Sequence, residues 1–283
     1  MNASEKTVLV DGLRVRYWEA GNESAKTLLL LHGGLGDARF HWEASIGGLA
    51  ENFRVLAPDL PGFGGSQALP RNRTETMLHW IKAFLHTLRV DQAVVVGNSF
   101  GALLARLFAA NSPTYVPAVI LVNGGGVPDI PNAFRVLERI PLVSPLLFGS
   151  LGKRATSEAT LKEMITVAEV LTPEFVTQVA QAAPGYTRFM RMLVSSPMPA
   201  TQNPIVPTLI LWGTNDQVAL LSDGKAIQAS IAGSQLVEIA DCGHMPQIET
   251  SDVFIWQVNT FLDKLSRPTK PTSGPSLLSN ASG

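Results

Sequence analysis

One cysteine, Cys242, stands in a chain of 283 residues. An intramolecular disulfide and a cysteine metal cluster are therefore both excluded. A charge excess of either sign is also missing. The 22 basic and 23 acidic residues leave a formal net charge of −1, so neither nucleic acid nor an anionic membrane surface is implied as a partner. No apolar run approaches the roughly 20 residues that a bilayer-crossing helix needs. The first six residues lack the basic patch and apolar stretch of a secretory signal, and a cytoplasmic location is expected. There is no His-Glu-x-x-His helix, no Cys/His ligand cluster and no Gly-rich phosphate loop ahead of a lysine. Neither a metal nor an organic cofactor is expected, and the implied partner is a small-molecule substrate. Internal repeats are absent, and nothing in the sequence signals an oligomeric state. What is present is a hydrophobic content of 46%, enough for one large α/β domain with an insertion.

Short apolar runs recur along the chain. Residues 7–10 and 13–20 read as an opening hairpin joined at Asp11-Gly12, a strong turn dipeptide. Further runs cover residues 27–31, 54–57, 93–96, 118–122, 206–212 and 235–240. That makes eight strands, the last six separated by crossovers long enough for helices. The expected fold class is α/β, an eight-stranded, mostly parallel sheet with helices on both faces. Ligands of such sheets bind at the carboxyl ends of the strands.

One crossover is much longer than the rest. Between residues 124 and 204 no strand pattern occurs. Helical pieces are expected at residues 133–139, 157–171, 173–182 and 186–195, with breaks at Pro141, Pro145, Pro184 and Pro197. Residues 127–203 read as a helical cap inserted after the sixth strand. The core is then divided into residues 1–126 and 204–266. Most of the large apolar cap side chains pack onto the core. Some line a pocket, with Phe134 and Phe148 as candidates. Residues 267–283 are rich in Pro, Ser, Thr and Gly without periodicity, and read as a flexible tail.

The most informative segment is Gly97-Asn98-Ser99-Phe100-Gly101, between the apolar run 93–97 and the helix-forming stretch 102–110. A Gly-x-Ser-x-Gly between a strand and a helix is a nucleophile elbow, which lifts a serine hydroxyl above the sheet. The serine backbone is strained, and its neighbours two before and two after come too close for a Cβ. A serine hydroxyl needs a base, and the base needs an orienting group. Of the five histidines, His79 and His86 lie in an expected helix over residues 75–88 and read as surface or helix-packing residues. His244 follows the last strand and reaches the same sheet edge as Ser99. Asp216 follows the seventh strand and is the preferred orienting acid. Asp241 is the rival, three residues before His244 and better placed to brace the loop. Two backbone N–H groups are needed for an oxyanion hole. Phe100 follows the nucleophile, and Gly34 lies in the loop His32-Gly33-Gly34-Leu35-Gly36, which His32 braces.

Taken together, these pieces resemble the α/β-hydrolase family across roughly residues 7 to 265. The matching segments are His32-Gly33-Gly34, Pro58-Asp59-Leu60-Pro61-Gly62-Phe63-Gly64-Gly65-Ser66, the elbow, Gly213-Thr214-Asn215-Asp216 and Gly243-His244. The order Ser, Asp, His is the one this fold uses. The resemblance implies a triad of Ser99, His244 and Asp216 and a cap after the sixth strand. Serine at the elbow sets aside the branches similar to haloalkane dehalogenases and epoxide hydrolases, which use aspartate. Asn98 before the serine resembles the meta-cleavage-product hydrolases, which split carbon–carbon bonds. The sequence departs from them at Met245, where they carry tryptophan, and at Gly34-Leu35-Gly36-Asp37. Asn98 and Met245 are candidate pocket residues, and Arg188 or Arg191 is a candidate partner for an acidic substrate. Ester hydrolysis of small, mainly apolar substrates through an acyl-enzyme is the expected reaction. Carbon–carbon hydrolysis is the alternative, as is a slowly hydrolysing small-molecule receptor.

Overall fold

The computed structural model describes residues 3–71, 73–196 and 202–266. The expected tail over 267–283 and the break at Pro197 lie outside the described residues. Eight strands form one sheet: β1 (Ser4–Val10), β2 (Leu13–Ala20), β3 (Thr27–Leu31), β4 (Arg54–Pro58), β5 (Val94–Asn98), β6 (Val119–Val122), β7 (Thr208–Gly213) and β8 (Gln235–Ile239). Their spatial order is β1-β2-β4-β3-β5-β6-β7-β8. β1 and β2 form the expected hairpin, and β2 runs antiparallel to β4. Every other pairing is parallel.

Side-chain alternation explains why the central strands are apolar throughout. Leu29 and Leu31 face a layer built from the helices Thr74–Thr87 and Phe100–Asn111, with Trp80, Phe84 and Phe108. Leu28 and Leu30 face the opposite layer, with Trp42 of Ala38–Trp42 and Phe254 and Val258 of Ser251–Ser266. A strand covered on both faces has no solvent side to leave polar. Each fully buried leucine contributes about 1.5–3 kcal/mol. The edge strands β1 and β8 are the exceptions: Glu5 and Lys6, and Gln235 and Glu238, are exposed, as suits edges that must not recruit another chain.

Strand register then sets the site. Leu31 pairs with Gly97, and Asn98 pairs with Val122. The carboxyl ends of β3, β5 and β6 are therefore level, and the loops that leave them meet at one point.

The connection from β6 to β7 is helical, with one correction in each half. Among the described residues it holds Asn132–Glu138, Val143–Ala155, Glu158–Met164, Pro173–Gln181 and Ala183–Ser195. The helix Val143–Ala155 was not expected, because Pro145 reads as a break. Pro145 is instead the third residue of that helix, and Pro184 sits in the first turn of Ala183–Ser195. First-turn N–H groups have no intrahelical acceptor, so proline costs nothing there. The expected helix over 157–171 is two pieces: it stops at Met164, and a 3-10 turn follows at Ala168–Val170. The intervening β-branched Ile165, Thr166 and Val167 interrupt it.

Candidate active site

Ser99 ends β5 with φ 55° and ψ −114°, a backbone that a residue with a side chain seldom adopts. Its N–H donates to the Val122 carbonyl at 2.9 Å, which anchors the strained residue to β6. A Cβ on Gly97 would collide with the Gly101 carbonyl oxygen, and one on Gly101 would collide with that of Leu31. Both glycines are therefore imposed by the tightness of the turn. Phe100 opens the helix Phe100–Asn111, so its N–H lacks an intrahelical acceptor. The helix dipole adds partial positive charge at the same point.

His244 and Asp216 meet from loops after β8 and β7. The ring Nδ1 donates to Asp216 Oδ2 at 2.8 Å, with both side chains almost fully buried. Asp216 also accepts from the Asn123 side-chain amide at 2.6 Å and from the N–H groups of Val218 and Ala219 at 2.8 and 3.0 Å. Burial works to raise the Asp216 pKa. Bonds from His244, Asn123 and Ala219 outweigh it and hold the carboxyl below its ordinary value. Asp241 is exposed; its backbone N–H donates to Thr214 Oγ1, and the ring bonds Asp216 instead. Cys242, though close by, is no rival nucleophile. Burial, then the nearby Glu249 carboxylate, pushes its thiol up to about 12.

Two further histidines brace the loop that carries Gly34. His32 Nε2 accepts the Leu60 N–H at 2.8 Å, so the ring proton is on Nδ1, which donates to the Gly33 carbonyl at 2.7 Å. In a planar trans peptide the next N–H points opposite that carbonyl. Holding the Gly33 oxygen therefore fixes the direction of the Gly34 N–H. His41 Nε2 donates to the Leu35 carbonyl, and its Nδ1 faces the Gln247 amide at 3.4 Å. Burial lowers the pKa of both rings. For His41 burial, then His32, brings it to about 3. Asp59 anchors the facing loop, accepting from Arg16 at 2.6 Å, Gly65 N–H at 2.7 Å and Ala38 N–H at 3.0 Å.

Ser99 and His244 sit between two chambers. The larger holds about 760 Å³, with Phe100, Phe134, Leu193, Trp212 and Ile227 among its walls. The smaller holds about 140 Å³ and is lined by Gly34, His41, Asn98, Met164 and Met245 among others. Tyr186, Phe189 and Val218 border both. Phe189 packs on Phe100, ring centroids 4.7 Å apart, and lies against Gly34, where a Cβ would strike it. Among the described residues, neither chamber has a lysine or arginine in its wall. Arg188 donates to the Gly62 carbonyl at 2.7 Å, and Arg191 pairs with Glu138 at 3.2 Å. Phe134 lines the larger chamber, and Asn98 and Met245 line the smaller. Phe148 does not: it is fully buried behind Phe134, ring centroids 6.4 Å apart. Among the described residues, no three His, Cys, Asp or Glu side chains group as metal ligands, and no helix is long and apolar enough to cross a membrane.

A family model described as the alpha/beta hydrolase family matches residues 28–255, which take in Gly34, Ser99, Asp216 and His244. This chain belongs to the alpha/beta hydrolase family. It is thereby placed among enzymes. A curated relative from Klebsiella pneumoniae, 2-hydroxy-6-oxononadienedioate/2-hydroxy-6-oxononatrienedioate hydrolase, is 28% identical over 270 residues, covering 88% of this chain and 91% of its own. The 2-hydroxy-6-oxo-2,4-heptadienoate hydrolase of Pseudomonas putida is 28% identical over 278 residues, with 91% and 95% covered. Among solved structures, a meta-cleavage product hydrolase of Pseudomonas fluorescens shares the fold. It superposes with a TM-score of 0.75 at 24% identity, covering 92% of this chain and 98% of that one.

Several site residues of this hydrolase escape a reading of the sequence. Asn123 bridges the Asp216 carboxylate and the Gly243 carbonyl, at 2.6 and 3.1 Å. Its signal was available: it ends β6 at the same edge as Ser99 and precedes Gly124-Gly125-Gly126. Gly124 is packed so closely on Ser99 that a Cβ would meet the Ser99 backbone. His41 and Gln247 had no such signal, since each sits on a short helix with no spacing to link them.

Proposed function

We propose that this hydrolase cleaves carboxylic esters of small, mainly apolar substrates through an acyl-enzyme on Ser99. His244 takes the serine proton as the hydroxyl attacks the ester carbonyl. It then gives that proton to the leaving alcohol. Asp216 holds the ring with its proton on Nδ1 and stabilises the charge that develops on it. The N–H groups of Gly34 and Phe100 receive the oxyanion. Water, deprotonated by the same ring, releases the acid. Residues 127–203 act as the cap, inserted between the core segments 1–126 and 204–266, and supply the apolar wall.

The observation that carries this reading is the His244–Asp216 pair and the strained Ser99 opening onto chambers that, among the described residues, have no lysine or arginine in their walls. The large chamber falls within the range of about 300–1,000 Å³ typical of small-molecule sites. At about 30 Å³ per water-sized group, the small one takes about five non-hydrogen atoms. The best substrate therefore has one bulky apolar side and one short side across the ester.

Carbon–carbon hydrolysis is the second reading, favoured by the two dienoate hydrolases among the relatives and by Asn98 beside Ser99. Those names denote carboxylate substrates. An acid entering either chamber meets no arginine or lysine among the described residues, which favours the neutral ester. A panel of p-nitrophenyl esters of rising chain length, run beside one dienone ring-fission product, tests the choice. Multiple turnovers on a short- or medium-chain ester are expected. A dienone rate above that of the best ester by more than about tenfold, about 1.4 kcal/mol in barrier, overturns the ester reading. A single turnover followed by arrest would instead make the protein a receptor.

A further inference from the structure

Three consecutive backbone N–H groups around His244 are all bonded, and all lead to one place. Gly243 and Met245 flank the histidine. Gly243 N–H donates to Glu249 Oε2 at 3.1 Å, and Met245 N–H donates to Glu249 Oε1 at 2.9 Å. The His244 N–H donates to the Met164 carbonyl at 2.8 Å. Glu249 has two more donors, and they come from the β6–β7 connection: Thr166 N–H at 2.7 Å and Val167 N–H at 3.2 Å, both to Oε2. The carboxylate is buried, with 8% of the residue exposed. Its four donors are all backbone N–H groups, two from each side of the joint. The approach is close enough that a Cβ on Gly243 would collide with the Met164 carbonyl. Met164 and Met245 both line the small chamber.

We propose that Glu249 is a positioning residue that clips the His244 loop to the 164–167 segment, so that the base and the wall of the small chamber seat as one unit. The inference rests on reading His244 as the base. Glu249 touches neither substrate nor the reacting atoms. It acts by fixing the two peptide planes on either side of the histidine, and charge-assisted bonds make that fixing stiff. It also makes the two sides dependent on each other. If residues 164–167 lift, the His244 N–H loses the Met164 carbonyl and Glu249 loses half its donors. The base then no longer has a defined position relative to Ser99. A displacement of 1 Å at such a point can cost about a hundredfold in rate.

Glu249→Gln is the test, in the full chain. It keeps the size of the side chain but turns one acceptor oxygen into an NH₂ that faces N–H donors. On the best ester, kcat is expected to fall about tenfold to a hundredfold with KM changed less than about threefold. Amide exchange followed by NMR is expected to speed up at Thr166, Val167, Gly243 and Met245 together. The downfield signal of the His244 Nδ1 proton should broaden. Faster exchange at Gly243 and Met245 with Thr166 and Val167 still protected overturns the clip, and so does an unchanged kcat. Exchange needs no substrate, so it reads the clip even if His244→Ala retains ester turnover and the base assignment itself fails. A variant that does not fold is replaced by Glu249→Asp. Its shorter side chain keeps the charge but cannot span both sides, and the same four amides are read.

Discussion

The floor and the wall of the site are built on different principles. The floor consists of the loops after β3, β5, β6, β7 and β8, and it is polar and densely hydrogen-bonded. Ser99 is tied to Val122, Asp216 holds four donors, and His32 and His41 each fix a carbonyl of the 33–36 loop. The wall comes from the β6–β7 connection and is apolar, held by packing of Phe134, Tyr186, Phe189 and Leu193. Two of its arginines are spent on the scaffold, Arg191 on Glu138 within the connection and Arg188 on the Gly62 carbonyl. Directional bonds set atoms to within tenths of an ångström, which bond-making needs. Apolar packing is non-directional and tolerates changes of volume, which suits selection by size and shape. On the reading proposed above, the floor fixes the reaction and the wall tunes the substrate.

Breaking the floor should have the largest effects. Ser99→Ala removes the nucleophile and is expected to cut ester turnover by about 10⁴ to 10⁶ while leaving the circular dichroism spectrum intact. Wild-type-like rates in the purified variant would refute the assignment. Asp216→Asn should come next, with a loss of roughly 10³ to 10⁴, because the ring proton is no longer held on Nδ1. Asp241→Asn, on an exposed residue, should stay within about twofold. The two variants assayed side by side decide which acid serves the ring, and a more damaging Asp241→Asn would reverse the choice.

Acid should loosen the floor before the wall. The folded pKa of His41 lies near 3, below the free value of 6.5. A group depressed in this way binds more protons when the chain is unfolded. Its contribution to stability is therefore complete above pH 6.5 and is lost as pH falls toward 3. The loss is about 1.4 kcal/mol per pH unit, so about 2 kcal/mol between pH 6.5 and pH 5. Urea titrations at the two pH values should show this difference in the wild type and a shallower one in His41→Phe, which cannot titrate. An equal slope in both proteins would mean that His41 is not the buried group that resists protonation.

Changes to the wall should be the mildest for catalysis and the clearest for selectivity. Phe134→Ala enlarges the big chamber, and the preferred ester chain should lengthen by a carbon or two. Each added methylene that finds apolar contact is worth about 0.8 kcal/mol, about fourfold in kcat/KM. Turnover of the shortest ester should change by less than tenfold. If Phe134→Ala instead abolishes turnover of every ester, the division between floor and wall is wrong.

Much of the floor was legible because it is written locally. The elbow needs two glycines around a serine between a strand and a helix, and all of that lies within about 20 residues. Apolar runs marked the central strands most clearly, since burial on both faces leaves no polar positions to blur them. The chain order of Ser99, Asp216 and His244 placed them on one edge as soon as the sheet was parallel. What stayed hidden depends on contacts across the chain. Asn123 meets Asp216 across 93 residues, and Glu249 meets Thr166 across 83; neither spacing leaves a periodic trace. The local pattern at Pro145 pointed to a break, but a helix needs no N–H from its first turn. Phe134 and Phe148 are alike in sequence, and only packing put one in the chamber wall and the other behind it. The sequence by itself determined the sheet, the turn that strains Ser99 and the residues able to act beside it, because propensity and periodicity are properties of neighbours. Only the tertiary structure decided which acid reaches His244, where the arginines are bound and how much space flanks the serine, because those follow from which distant side chains share the same volume.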